Sequence, residues 1–315
     1  MKMKHSHMKQ NLFAILAALI WGTAFVGQSK GAENLEAFTF NAARSIVGAA
    51  ALFLGLTVYR KMHPKADDRT PEQRRAGRKE LLKGGLCCGS ALGVAACVQQ
   101  LGISMTTAGK ASFITALYIV LVPMCGIFMK KRVPGTVWVS VVIAVAGLYL
   151  ISVKDGFSVG TGDLLILVCS FCFTAQILLV DHFAQKIDGV ELSCAQLTVS
   201  ALWSLLGAAL FEHPTAAALQ ASLLPILYVG IFSSALAYTF QILAQKDSDP
   251  AMISLLLSLE SVFGAMSGAL FLQERMTLRE YFGCALVLAA VLLSQMDLTA
   301  WQAKRKQKNE GSELI

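Results

Sequence analysis

LLLSLESVFGAMSGALFLQER, residues 255–275, is apolar or small from Leu255 to Gln273 except for one ionisable side chain, Glu260. The run is long enough to cross the hydrocarbon core of a bilayer, which is about 30 Å thick. A charged residue at the centre of a membrane helix costs about 2.5–3.5 kcal/mol on insertion scales, so an acid kept at that depth marks a functional position.

The whole sequence supports the membrane reading. The chain of 315 residues is 55% hydrophobic and only 15% charged, with a mean hydropathy of +0.59. A water-soluble fold of this length has too little interior for so much apolar surface. Apolar runs recur at roughly 11–28, 37–59, 84–105, 108–129, 135–153, 161–180, 192–211, 223–243, 250–272 and 278–295. An all-α polytopic membrane protein with ten transmembrane helices follows. The first run succeeds a basic start but is longer than a signal-peptide core and lacks a clean small-x-small cleavage site, so it reads as a retained helix.

The eight cysteines lie within or at the ends of apolar runs, where thiols behave as small hydrophobes and imply no disulfide framework. Cys169 and Cys172 form a CxxC that lacks a second pair or the histidines of a zinc site, so no metal is expected. The formal charge of +7 and pI near 9.0 raise the question of nucleic acid. The basic residues are instead distributed by membrane side. With the N-terminus in the cytoplasm, most of the 27 lysines and arginines fall inside: the N-terminal tail, the 60–83 loop, LysLysArg at 130–132, Lys186, Lys246 and the tail cluster Lys304, Arg305, Lys306 and Lys308. The positive-inside rule then places both termini in the cytoplasm.

The sequence also repeats. A shift of 142 residues lays QQLGISMTTAGKASFITALYIV (99–120) on QILAQKDSDPAMISLLLSLESV (241–262), so Gln99 meets Gln241 and Leu117 meets Leu259. Near a shift of about 152, Arg44 falls on Gln196, each opening the second span of its half. The halves are residues 11–153 and 161–296, with tails at 1–10 and 297–315. Five spans in each half force the second copy to cross the membrane inverted, a plan found in many secondary transporters.

These features resemble a known family. The five-span halves, ALIWGTAF (18–25), Arg44, TTAGKASFITALYIVLVP (106–123) and above all LSLESVFGAMSGALFLQERMT (257–277) look like the EamA repeats of the drug/metabolite transporter superfamily. The most specific element is the ninth-span block, carried here by Leu259, Glu260, Val262, Glu274 and Arg275. Two departures stand out. Family members commonly have proline after the intramembrane acid, where this chain has Ser261, so a proline kink is not expected. The fourth span keeps Pro123 but ends in LysLysArg. The resemblance implies export or exchange of small metabolites, commonly amino acids.

The site follows from the repeat. Tyr118 is the equivalent of Glu260 under the 142-residue shift, and a two-fold axis in the membrane plane lets mid-depth residues of equivalent helices face one cavity. Glu260 would bind a cationic group or exchange a proton, since burial favours its neutral form and a bound ammonium the carboxylate. The bland alternative is a protonated acid bonded to a neighbouring helix. Arg44 either snorkels to the interface, the favoured reading, or meets a substrate carboxylate bidentately. Of Asn41, Gln99, Gln100, Gln176, Gln196 and Gln241, most read as interhelical packing partners. Gln99 and Gln241, being repeat equivalents, are the candidates for facing a pore. Trp21 lies mid-span, away from the interfaces where tryptophan belts occur, and is either a cavity wall or ordinary packing. Gly85, Gly89 and Gly93, with Gly264 and Gly268, have GxxxG spacing and read as close helix packing.

Other classes fit less well. No HExxH, GxSxG elbow or pair of intramembrane aspartates suggests an enzyme. A channel or uncoupled facilitator would be expected to show more pore-lining charge or a filter loop. Without a GxxxxGK[ST] loop, energy would come from a gradient, protons or substrate exchange being favoured. No cofactor is expected. The expected partners are a small-molecule substrate and the lipid bilayer, with no nucleic acid and with a homodimer left open; short loops suit a bacterial plasma membrane.

Overall fold

The computed structural model describes residues 2–63, 70–106, 108–130, 133–152, 160–271 and 276–294, and all regular structure among them is helical. The first half comprises α1 (Lys2–Ala32), α2 (Ala37–Met62), α3 (Pro71–Ile103), α4 (Ala108–Thr115), α5 (Tyr118–Phe128) and α6 (Gly135–Ser152). The second comprises α7 (Thr161–Ala184), α8 (Gly189–Phe211), the short α9 (Ala216–Ala221), α10 (Leu223–Tyr228), a π-helix (Val229–Ala237), α11 (Tyr238–Gln245), α12 (Pro250–Leu257), α13 (Leu259–Phe271) and α14 (Leu278–Ser294).

Eight helical stretches are long and apolar enough to cross a membrane, and a shorter apolar helix runs from Gly135 to Ile151. The chain is therefore a multi-pass membrane protein. Two helices begin more than two turns ahead of the apolar runs read from sequence. α1 begins at Lys2, ahead of the run at 11. Much of the basic 60–83 segment, read as a loop, forms the first turns of α3, because Thr70 and Gln73 make a reciprocal capping box and Pro71 occupies the first turn. The topology charges at Lys65, Arg69, 131–132, Lys154, 274–275 and the 297–315 tail lie outside the described residues.

The interior and the surface have exchanged their usual composition. Asn41, Gln176, Gln196 and Gln241 are buried, whereas Phe53, Leu54, Leu210 and Phe211 are exposed. Apolar side chains on the outside match a lipid solvent, in which only unsatisfied polar groups need to be hidden.

Equivalent helices of the two halves run antiparallel. On α2 and α8, Thr39 meets Glu212, the Ala49 carbonyl accepts from Cys194 Sγ at 3.8 Å, and Arg60 pairs with Glu191. Residue numbers thus rise along one helix as they fall along the other. Glu212 accepts from the backbone amides of Phe38 at 2.7 Å and Thr39 at 2.6 Å, supplying partners to the open amides at the start of α2. On α6 and α14, Gly147 lies against Val287 and Gly283 against Ile151, again antiparallel. The other packed pairs exchange with the halves: α3 packs on α7 as α11 packs on α1, and α3 packs on α8 as the π-helix packs on α2.

Small residues set these distances. A Cβ on Gly89 would lie 2.6 Å from the Gln196 carbonyl oxygen and 2.6 Å from Val199 Cβ, so α3 and α8 meet at backbone contact along Gly85, Gly89 and Gly93. Gly264 faces Gly22 of α1, and it is Gly22 that has no room, with the Glu260 carbonyl 2.7 Å from its would-be Cβ. The side of Gly268 lies outside the described residues. Gly89→Ala should therefore lower the unfolding free energy of purified protein in detergent by about 1–3 kcal/mol, whereas Gly55→Ala, with nothing within 4 Å, should cost nothing; equal effects would refute the close α3–α8 contact.

Candidate substrate cavity

The two helices that carry Tyr118 and Glu260 are both interrupted, at equivalent places. α4 gives way to α5 at Ala116 and Leu117, and α12 to α13 at Ser258. Adding the 142-residue repeat offset to the first break gives the second. Three-residue hydrogen bonds tighten each break: Leu117 N to the Ile114 carbonyl at 3.2 Å, Ile119 N to Ala116 at 3.0 Å, and Ser261 N to Ser258 at 3.2 Å. Ser258 Oγ donates to the Leu255 carbonyl at 2.7 Å. The interruption thus forms with serine, without the proline whose absence argued against a kink.

Tyr118 opens α5 and Glu260 lies in the first turn of α13, where the helix dipole favours an acid. The Tyr118 hydroxyl donates to Glu260 Oε1 at 3.2 Å. Beside them the Ser112 and Ser261 hydroxyls share a hydrogen bond of 2.7 Å.

A cavity of about 40 Å³ opens at this junction. Glu260, Tyr118, Arg44, Trp21, Gln99 and Gln241 all line it. Arg44, for which the sequence favoured a reach to the interface, is only 3% exposed. Its Nε donates to Asn41 Oδ1 at 2.6 Å, and Asn41 in turn donates to the Ala96 carbonyl at 2.8 Å. No salt bridge joins Arg44 to Glu260 or to any other acid among the described residues.

Trp21 is held by a local irregularity. The π-helix has wider turns than an α-helix, and the Ser233 carbonyl within it accepts from Trp21 Nε1 at 3.3 Å. The indole packs edge-on against Tyr238, with ring centroids 5.0 Å apart. Gln99 donates to Thr115 Oγ1 at 3.3 Å. Gln241 donates to Gln176 Oε1 at 3.0 Å, and Gln176 to Gln196 Oε1 at 3.3 Å.

Sequence reading missed several lining residues and took Gln176 for packing. The repeat contained a signal for some of them. Phe173 is the equivalent of Trp21 and Ile177 of Phe25 at the offset of about 152, while Leu257 is the equivalent of Thr115 at 142, and all line the cavity. Five equivalent pairs therefore surround it, as a cavity on the axis between two related halves requires. Gln28, Ser233 and Tyr238 had no such signal.

Residues 8–153 and 160–296 match the EamA-like transporter family. The chain belongs to that family. An uncharacterized transporter of Archaeoglobus fulgidus is 30% identical over 291 residues, 88% of this chain and 83% of the relative. The uncharacterized transporters YwfM and YoaV of Bacillus subtilis are 25% and 22% identical, covering 95% and 91% of this chain and 95% and 97% of their own lengths. A crystal structure superposes with a TM-score of 0.72 at 16% identity, over 91% of this chain and 98% of its own, which shows a shared fold.

For this EamA-like chain the interruption before Glu260 can be tested directly. Ser261→Pro should remain folded and lose about 1–2 kcal/mol, with the Ser112 bond and the Ser261 N–Ser258 bond both removed, because proline is tolerated in a helix's first turn. Met266→Pro, inside α13, should cost about 3 kcal/mol or more. Equal losses in thermal unfolding would mean that the helix continues through Ser258.

Proposed function

We propose that the chain is a ten-span secondary carrier of small zwitterionic metabolites, amino acids foremost, working by alternating access at a site between its two repeats. The observation that carries this reading is the pair of opposite ionisable groups, Arg44 and Glu260, lining one cavity without pairing to each other. The two terminal amino groups of the guanidinium have no acceptor among the described residues. A planar fork left open in this way suits a carboxylate. Glu260, whose charged form is costly when buried, suits an ammonium that supplies the compensating charge. Trp21, Tyr238 and Phe173 provide aromatic walls, and a cation over such a face gains further attraction.

The cavity admits about three waters on the scale of about 10–15 Å³ each, less than an amino acid needs. Loading therefore requires the halves to separate on one side. Packing through glycines and serines allows such sliding with little side-chain rearrangement. Transport is driven by a proton gradient or by exchange, in the plasma membrane of a bacterium, with both termini in the cytoplasm and export the favoured direction.

Purified protein in liposomes should show saturable counterflow with at least one member of an amino-acid panel. Glu260→Gln and Arg44→Lys, the latter keeping charge but not the fork, should each reduce it by about tenfold, equivalent to about 1.4 kcal/mol of lost interaction. Flux that does not saturate and shows no counterflow would indicate a channel, and undiminished counterflow in Glu260→Gln would remove the acid from the mechanism.

A further inference from the structure

A hydrogen bond between α1 and α3 links a residue that lines the central cavity to one that lines a second, larger space. Gln100 Nε2 donates to the backbone carbonyl of Gln28 at 3.3 Å. Gln28 lines the central cavity. Gln100 lines a groove of about 530 Å³ at the end of the bundle where α1 stops and α2 begins. At the opposite end of the bundle Gln10 Nε2 donates to the Lys246 carbonyl at 2.8 Å and Gln245 Nε2 to the Ile177 carbonyl at 2.9 Å, and Phe13 stacks on Phe240 at 5.5 Å.

The partition also carries two unmet acceptors. Gln28 is 5% and Gln100 1% exposed, and the side-chain oxygen of each is buried without a hydrogen-bond partner. A buried acceptor forfeits its hydration with no return until a donor arrives. Among the described residues, the ionisable groups lining the groove are Glu33, Glu36 and Glu212. Lys30 is held by Glu33 at 2.8 Å, and Glu212 is engaged by the start of α2. Acidic walls raise the local concentration of cations, and the two free amide oxygens, one on a residue lining the groove and one on a residue lining the central cavity, select cations that carry N–H.

We propose that Gln28 and Gln100 form the gate at this end of the cavity and a binding station for a small primary ammonium group, which donates to both free amide oxygens as it displaces the Gln100–Gln28 bond. The proposal rests on the carrier reading, in which this end faces outward, and adds a path for the substrate's amine. The same two oxygens could be met by water alone, which the test separates.

Ser233→Cys, at the central cavity, is placed in a chain freed of its other cysteines and exposed to a membrane-impermeant thiol reagent in right-side-out and inside-out vesicles. Gln100→Ala should speed labelling from outside by about threefold or more, the change expected for one lost interhelical hydrogen bond; Gln100→Met, close in volume but without the donor, serves if the alanine form does not fold. With both glutamines present, millimolar methylammonium should slow labelling by roughly twofold or more by occupying the partition, and tetramethylammonium, equally charged but without N–H, should not. Gln28→Ala keeps the backbone acceptor and should keep slow labelling while losing the methylammonium effect. Unchanged labelling in both vesicle types on removing the Gln100 amide would overturn the gate. Protection by neither cation, the water-only outcome, or equal protection by both, would overturn the ammonium station. Acceleration confined to inside-out vesicles would keep the gate and reverse the orientation, and a labelling response without saturable counterflow would retain the gate and remove the carrier.

Discussion

The structure depends on how a carboxyl is kept in the middle of a membrane protein. Glu260 is only 5% exposed in this closed conformation, and a charged residue at the centre of a membrane helix costs about 2.5–3.5 kcal/mol. The chain meets the cost locally. Two helices are interrupted at equivalent positions, so that a helix start lies beneath the acid and a phenol from the other half donates to it. Neither half could do this alone. The acid belongs to the second repeat and its donor to the first, and they meet because equivalent helices run antiparallel and place the same depth of each repeat at the common axis.

That axis explains both the likeness and the difference of the residues around the cavity. Its walls come largely in equivalent pairs, Trp21 with Phe173, Phe25 with Ile177, Gln99 with Gln241, Thr115 with Leu257 and Tyr118 with Glu260. The chemistry comes from where the pairs have diverged, an acid against a phenol and an arginine whose equivalent is Gln196. A symmetric cavity has no reason to prefer one end of a solute to the other. Divergence gives this cavity a cationic group and an acidic group at distinct positions, the asymmetry that the proposed zwitterionic substrate would need.

Much of this was legible in the sequence because lipid imposes simple rules. Hydropathy located the helices, and one offset of 142 residues joined Tyr118 to Glu260. Arg44 was less legible: a long side chain seven residues into a span can reach either the interface or the interior, and the choice is made by Asn41, one turn earlier, whose carbonyl oxygen holds Nε inward. The break before Glu260 was hidden because the signal sought was proline, while the same tightening arises here from serines bonded to the backbone. The π-helix left no trace in composition, and Ser233 and Tyr238 depend on it for their positions. Gln100 read as packing and Gln28 gave no signal, because a glutamine's free oxygen is a property of its neighbours.

The central claim is that Glu260 faces a path open to water between two inverted repeats. Its most direct test is the reactivity of Glu260→Cys, as the sole cysteine, towards a membrane-impermeant thiol reagent and a lipid-dissolved one. The account predicts modification by the impermeant reagent from an aqueous face, slowed by any solute the protein transports. Modification by the lipid-dissolved reagent alone would place the residue against acyl chains and contradict it.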